Sequence, residues 1–203
     1  MKVLIMALFL SLIMGMSKKS TDSSVELDRQ APNFSLINSD SKGINLSDYK
    51  GKIVVLEWFN YGCPFVRKHY DSQNMQKLQK KYRNKGVIWL SVVSSAKGKQ
   101  GYLTPLKAKS KIREEGSHAN EVLLDPNGEV GKMYGAIVTP HIFIINKEGA
   151  LAYNGAIDSI PSYDLSDIPQ AKNYVKLALD NLLIGKQPEI KKTRPYGCSV
   201  KYE

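Results

Sequence analysis

Hydrophobic positions change their period several times along the chain, and each change predicts an element. Lys52-Ile53-Val54-Val55-Leu56-Glu57-Trp58-Phe59 is a nearly continuous β-prone run, the pattern of a strand covered on both faces, and Asn60-Tyr61-Gly62 breaks it. From Pro64 onward Val66, Tyr70, Met75, Leu78 and Tyr82 recur at near-helical spacing until Gly86, which predicts one amphipathic helix. Residues 87–93 return as a strand. Thr104 as N-cap, Pro105 at the first helical position and Gly116 beyond the last turn bracket a second, basic helix. A short strand at residues 122–124 meets the turn Asp125-Pro126-Asn127-Gly128, and a helical piece at 129–134 leads to Thr139-Pro140. Residues 141–145 and 151–155, joined by Asn146-Lys147-Glu148-Gly149, read as a β-hairpin. The last helix puts Tyr174, Leu177, Ala178 and Leu182 on one face and stops at Gly185.

Parallel strands need helical crossovers, so this order predicts an α/β fold with a mixed central sheet flanked by helices on both faces. A chain of 203 residues with 42% hydrophobic content can bury one substantial core, and no internal repeat argues for an array. The domain is expected over residues 28–190, with a tail at 191–203.

The amino terminus has another character. After Lys2, residues 3–16 are apolar and uncharged, and Ser17-Lys18-Lys19 follows, the build of a secretory signal peptide. As a helix that run reaches about 21 Å, short of a bilayer core of about 30 Å. No Ala-x-Ala marks a cleavage site, so residues 1–17 read as a signal peptide or an uncleaved anchor, and 18–27 as a flexible linker. Either way the domain is expected outside the cytoplasm, periplasmic or secreted, with membrane association through the N-terminal segment in the second case.

The formal charge of +10 draws on the lysines at 97, 99, 107, 109 and 111 and on Arg83 and Arg113, which read as a solvated face. No nucleic-acid motif accompanies them, so no nucleic-acid partner is expected. Three scattered histidines and two cysteines form neither C-x-x-C nor H-x-x-x-H, so no metal and no other cofactor is expected.

Those two cysteines carry the chemistry. Cys63 falls where a strand gives way to a helix, among unpaired backbone N–H groups at the positive end of the helix dipole, which favours thiolate over thiol. Pro64 suits the first helical turn, and Arg67, one turn on, is a candidate for added positive charge near the sulfur. The alternative is a small buried hydrophobe at a strand end.

Ala31-Pro32-Asn33-Phe34-Ser35-Leu36, Leu46-Ser47-Asp48-Tyr49-Lys50-Gly51-Lys52, Glu57-Trp58-Phe59-Asn60-Tyr61-Gly62-Cys63-Pro64 and Val138-Thr139-Pro140 together resemble the thioredoxin-like redoxins, namely the alkyl-hydroperoxide-reductase and thiol-specific-antioxidant group and exported thioredoxin-like oxidoreductases. The resemblance implies a thioredoxin-like fold and a nucleophile at Cys63. It also implies a cis Pro140 holding its loop against the sulfur, and a buried proton-handling acid at Glu57, for which a solvent-facing carboxylate is the alternative. Cys63-Pro64-Phe65-Val66, Lys68-His69-Tyr70 and the ending Gly197-Cys198-Ser199 further resemble a redoxin subgroup.

Two departures matter. Val66 stands where a thioredoxin has its second cysteine, so local resolution of a mixed disulfide is lost, and the peroxiredoxin proline and hydroxyl are replaced by Leu56 and Asn60. Asn60 keeps a hydrogen-bond donor for a substrate oxygen. The tail, with Gly and Pro giving it freedom, can bring Cys198 to Cys63 as a resolving thiol, or Cys198 is an incidental or intermolecular thiol. The expected function is a thiol–disulfide oxidoreductase acting on a protein disulfide or thiol with an external thiol reductant. The alternatives are a thiol peroxidase and a non-catalytic binding module. His69 is expected to face away from the sulfur as a surface or satisfied histidine, His141 to pack on its neighbours, and His118 to sit in a polar loop.

Overall fold

The computed structural model describes residues 25–203, so the expectations for the N-terminal segment and most of the linker lie outside the described residues. Among the described residues nine strands run in chain order: β1 (Ser35–Asn38), β2 (Gly43–Asn45), β3 (Val54–Trp58), β4 (Ile88–Val93), β5 (Glu121–Leu124), β6 (Val138–Thr139), β7 (His141–Ile145), β8 (Leu151–Gly155) and β9 (Cys198–Ser199). The α-helices are α1 (Pro64–Asp71), α2 (Asn74–Arg83), α3 (Pro105–Glu114), α4 (Glu129–Tyr134) and α5 (Tyr174–Leu183). Seven strands form one mixed sheet in the order β2-β1-β5-β4-β3-β7-β8. The centre is parallel, with β3 beside β4 and β4 beside β5, and β7 closes antiparallel onto β3 with Trp58 opposite His141.

Strand β3 shows why the sheet needs covering twice. Its side chains alternate faces, so Val55 joins a core with Tyr70, Tyr82 and Leu179 beneath α1, α2 and α5. Val54, Leu56 and Trp58 join Tyr134, Phe143 and Val130 beneath α4 on the other side. All five β3 residues are buried, as the unbroken apolar run requires. The fold is thioredoxin-like, with helices on both faces.

Three local expectations change. The single helix from Pro64 is two, because Ser72 ends α1 and Gln73 turns left-handed with φ 61° before α2. The step from Tyr70 to Met75 is one residue too long for a continuous stripe, and the break absorbs the surplus, returning Met75, Leu78 and Tyr82 to the core. On α5 the inward face is Val175, Ala178, Leu179 and Leu182, while Leu177 is exposed. The tail is seated rather than loose: β9 pairs antiparallel with β6, with Val138 opposite Ser199 and Thr139 opposite Cys198. Further bonds fix it on either side, from Asn154 N to Lys191 O (2.9 Å), Ala96 N to Lys201 O (2.8 Å) and Tyr202 OH to Ala136 O (2.6 Å).

Candidate active site

Cys63 is the N-cap of α1, with extended backbone, and Pro64 opens the helix. Its carbonyl accepts from Val66 N and Arg67 N (3.0 and 2.9 Å), and its own N–H donates to Asn60 O (3.0 Å), so the residue is fixed on both sides. Its thiol donates to the carbonyl oxygen of Thr139 at 3.0 Å. The Thr139–Pro140 bond is cis. Sequence positions 76 residues apart thus meet at one sulfur.

The same Thr139 lies opposite Cys198 across the β6–β9 pair. Both cysteines are free thiols, Cys63 fully buried and Cys198 half-buried. Loss of water contact, then the Cys63 side chain as hydrogen-bond partner and charge, push the Cys198 thiol up to about 12, with Lys201 working the other way. Gly197 permits this approach. A Cβ there would lie 2.0 Å from the Thr139 oxygen, and its φ is +144°, so a side chain would drive the tail off the loop.

Glu57 is fully buried on β3. Tyr70 OH donates to its Oε1 (2.9 Å), while Trp89 Nε1 (2.7 Å), Ser91 Oγ (3.0 Å) and Gln79 Nε2 (3.3 Å) donate to Oε2. Burial raises its pKa and outweighs these four bonds, which favour the anion. The solvent-facing alternative is therefore excluded.

Two supporting residues have other occupations. The Arg67 guanidinium is committed to Asp71 and Glu115, so its charge is largely neutralised by carboxylates rather than reserved for the sulfur. Asn60 Oδ1 accepts from Gly62 N (2.9 Å) and its Nδ2 donates to Gln100 O (3.2 Å), so this amide shapes the loop before Cys63. His141 is buried with Nε2 against Asn154 Oδ1 (2.7 Å) and its ring against Phe143, a packed histidine. His118 is exposed. His69 is fully buried, not superficial, with Asn74 at Nδ1 (2.9 Å).

The residues sequence reasoning missed are around Asp158. Lys68, fully buried on α1, donates to Ile160 O (3.0 Å) and Ser162 Oγ (3.3 Å) and lies 3.6 Å from Asp158 Oδ2. His69 Nε2 lies 3.9 Å from the same oxygen, and Tyr196 OH donates to Asp158 Oδ1. The only signal was the Lys68-His69-Tyr70 resemblance, since lysine is normally exposed.

The redoxin family model matches residues 26–174. The chain belongs to the redoxin family. Thiol-disulfide oxidoreductase ResA of Bacillus cereus is 30% identical over 130 residues, 64% of this redoxin and 69% of the relative, and the ResA of Bacillus anthracis is 27% identical over 125 residues, 62% and 66%. Against the latter, the redoxin spans just under two thirds of the relative's length. Among solved structures, an uncharacterized conserved protein from Geobacillus kaustophilus shares 29% identity at TM-score 0.73, over 88% of this chain and 93% of that one. A putative thiol:disulfide interchange protein DsbE from Chlorobium tepidum shares 25% at TM-score 0.50, over 64% and 85%. The redoxin is a thiol-dependent oxidoreductase. The family match ends where α5 begins, so the tail with Cys198 lies beyond it.

Among the described residues no helix is long and apolar enough to cross a membrane, and no group of three or more His, Cys, Asp or Glu side chains could hold a metal ion.

Proposed function

We propose that the redoxin performs thiol–disulfide exchange with Cys63 as nucleophile and Cys198 as resolving thiol. The observation that carries this reading is the β6–β9 pairing, which sets Cys198 beside the Cys63 sulfur in the reduced protein. In the first step the Cys63 thiolate attacks a substrate disulfide, forming a mixed disulfide and releasing one substrate thiolate. In the second the Cys198 thiolate attacks the Cys63 sulfur, the second substrate thiolate leaves, and a Cys63–Cys198 disulfide remains. Two electrons have passed to the substrate, and an external dithiol returns them.

Val66 in place of a second active-site cysteine is then no defect, because the resolving thiol comes from the tail. Glu57, buried with its pKa raised, is assigned proton handling for the pair. The peroxidase reading loses ground because Asn60, in the place of the peroxiredoxin hydroxyl, already spends both ends of its amide on the loop. The apolar run at residues 3–16 supports work outside the cytoplasm, where an oxidised pair persists.

The test is mass spectrometry of the full chain after treatment with a small disulfide such as oxidised glutathione. Wild type gives a Cys63–Cys198 bond, and Cys198→Ser instead accumulates glutathione on Cys63. A Cys198→Ser protein carrying no adduct on Cys63 rules out Cys63 as the nucleophile.

A further inference from the structure

Asp158 is buried beside the two elements that carry the cysteines. From α1, whose N-cap is Cys63, Lys68 Nζ comes within 3.6 Å of Asp158 Oδ2 and His69 Nε2 within 3.9 Å. From the tail, two residues before Cys198, Tyr196 OH donates to Oδ1, which also accepts from Ile160 N at 3.1 Å. The Tyr196 ring lies 5.9 Å from that of Phe65, edge to face, and 5.8 Å from Lys68 Nζ. Lys68, His69 and Asp158 are at most 3% exposed.

Such a pair is costly to desolvate and depends on every hydrogen bond it can collect. Asp158 Oδ2 and His69 Nε2 have no hydrogen-bond partner within ordinary distance, so the Tyr196 hydroxyl supplies one of the few bonds this carboxylate has. Lifting the tail removes that bond and leaves a buried anion with less compensation. Docking of the strand that carries Cys198 is thereby tied to the charge balance beneath the helix that carries Cys63.

We propose that Tyr196, Asp158 and Lys68 are positioning residues, a latch that seats Cys198 opposite Thr139 and so sets how readily Cys63 and Cys198 join. The proposal rests on Cys198 being the resolving thiol. Lys68 and His69 place α1 relative to Asp158, Tyr196 places the tail relative to the same group, and Gly197 lets the intervening backbone come against Thr139. None of the three need touch substrate.

The experiment equilibrates the full chain in mixtures of reduced and oxidised glutathione, quenches with acid, and measures by mass the ratio of Cys63–Cys198 disulfide to glutathione-bound Cys63. That ratio, multiplied by the concentration of reduced glutathione, gives the effective concentration of one thiol at the other. Tyr196→Phe keeps the ring and removes only the hydroxyl, and Asp158→Asn removes the charge. Each is expected to lower the effective concentration about tenfold, the weight of one hydrogen bond to a charged group. Tyr163→Phe is the control, since Tyr163 also packs on Phe65 but is exposed and has no bond to Asp158, and it should leave the ratio unchanged. Should Tyr196→Phe and Asp158→Asn lower the melting temperature yet leave the ratio as in wild type, or should Tyr163→Phe lower it equally, the latch is refuted and the resolving role stands. A wild type that forms no Cys63–Cys198 bond overturns the resolving role and the latch with it.

Discussion

Of the three influences that raise the Cys198 thiol, two belong to Cys63, as hydrogen-bond partner and as charge, and only loss of water is its own. When Cys63 is taken up in a mixed disulfide it carries no charge and no longer accepts the Cys198 proton as a thiolate does, so both contributions fall away at the moment the second attack is needed. Cys63→Ala imitates that state. Alkylation of Cys198 against pH should then give a midpoint below 12, toward the ordinary cysteine value near 8.5. An unmoved midpoint means that burial alone holds the proton. At this scale the sequence was informative where a residue type is needed by backbone geometry, as with Pro64 at a helix start and Pro140 before a strand. It said little of Asp158 or Lys68, because the two lie 90 positions apart and Tyr196, which completes the group, stands 38 positions beyond Asp158.

Glu57 links four elements, receiving hydrogen bonds from α1, α2 and β4 while seated on β3. Its raised pKa contributes stability below about pH 4.5 that is lost as pH rises. The buried histidines act oppositely. Burial holds His69 and His141 down at about 4 against an ordinary 6.5, so each gives stability that is full above 6.5 and lost as pH falls toward 4. Near pH 5 the two histidines take up protons on unfolding, so they make stability fall on acidification, while the raised pKa of Glu57 works in the opposite sense and makes that fall shallower. In Glu57→Gln the opposing contribution is gone and the slope should steepen, measured by urea unfolding at pH 4.5, 5 and 5.5. Identical slopes would mean that Glu57 ionises as freely in the fold as outside it. The elements themselves were legible wherever a period persisted: the hairpin of β7 and β8 has its predicted bounds. Where the stripe skips a residue, at Tyr70 to Met75, and where a strand is only two residues long, as in β6 and β9, there is no period to read.

Across the whole molecule, the cysteines stand 135 positions apart, and the strand carrying the second is held mainly by β6 and the loops around it. A bond between them would close a loop of that length and remove about 5 kcal/mol of unfolded-state freedom in the chain-entropy account. The oxidised protein should therefore melt well above the reduced one, by roughly ten degrees, in calorimetry with and without a reductant. Equal melting temperatures would show that the tail adds nothing when tethered. The alternation of strands and helices and the mixed sheet could be anticipated from the changing periods, but the tail's path could not, since nothing local specifies which distant edge a two-residue strand will meet.

That separation has a thermodynamic counterpart in the redox equilibrium. Whatever the cross-link adds to resistance against unfolding is by linkage added to the affinity of the folded protein for its oxidised state, at about 30 mV for each 1.4 kcal/mol in a two-electron couple. The midpoint potential of the pair is thus a property of the entire fold, and denaturant should make the same two sulfurs easier to reduce.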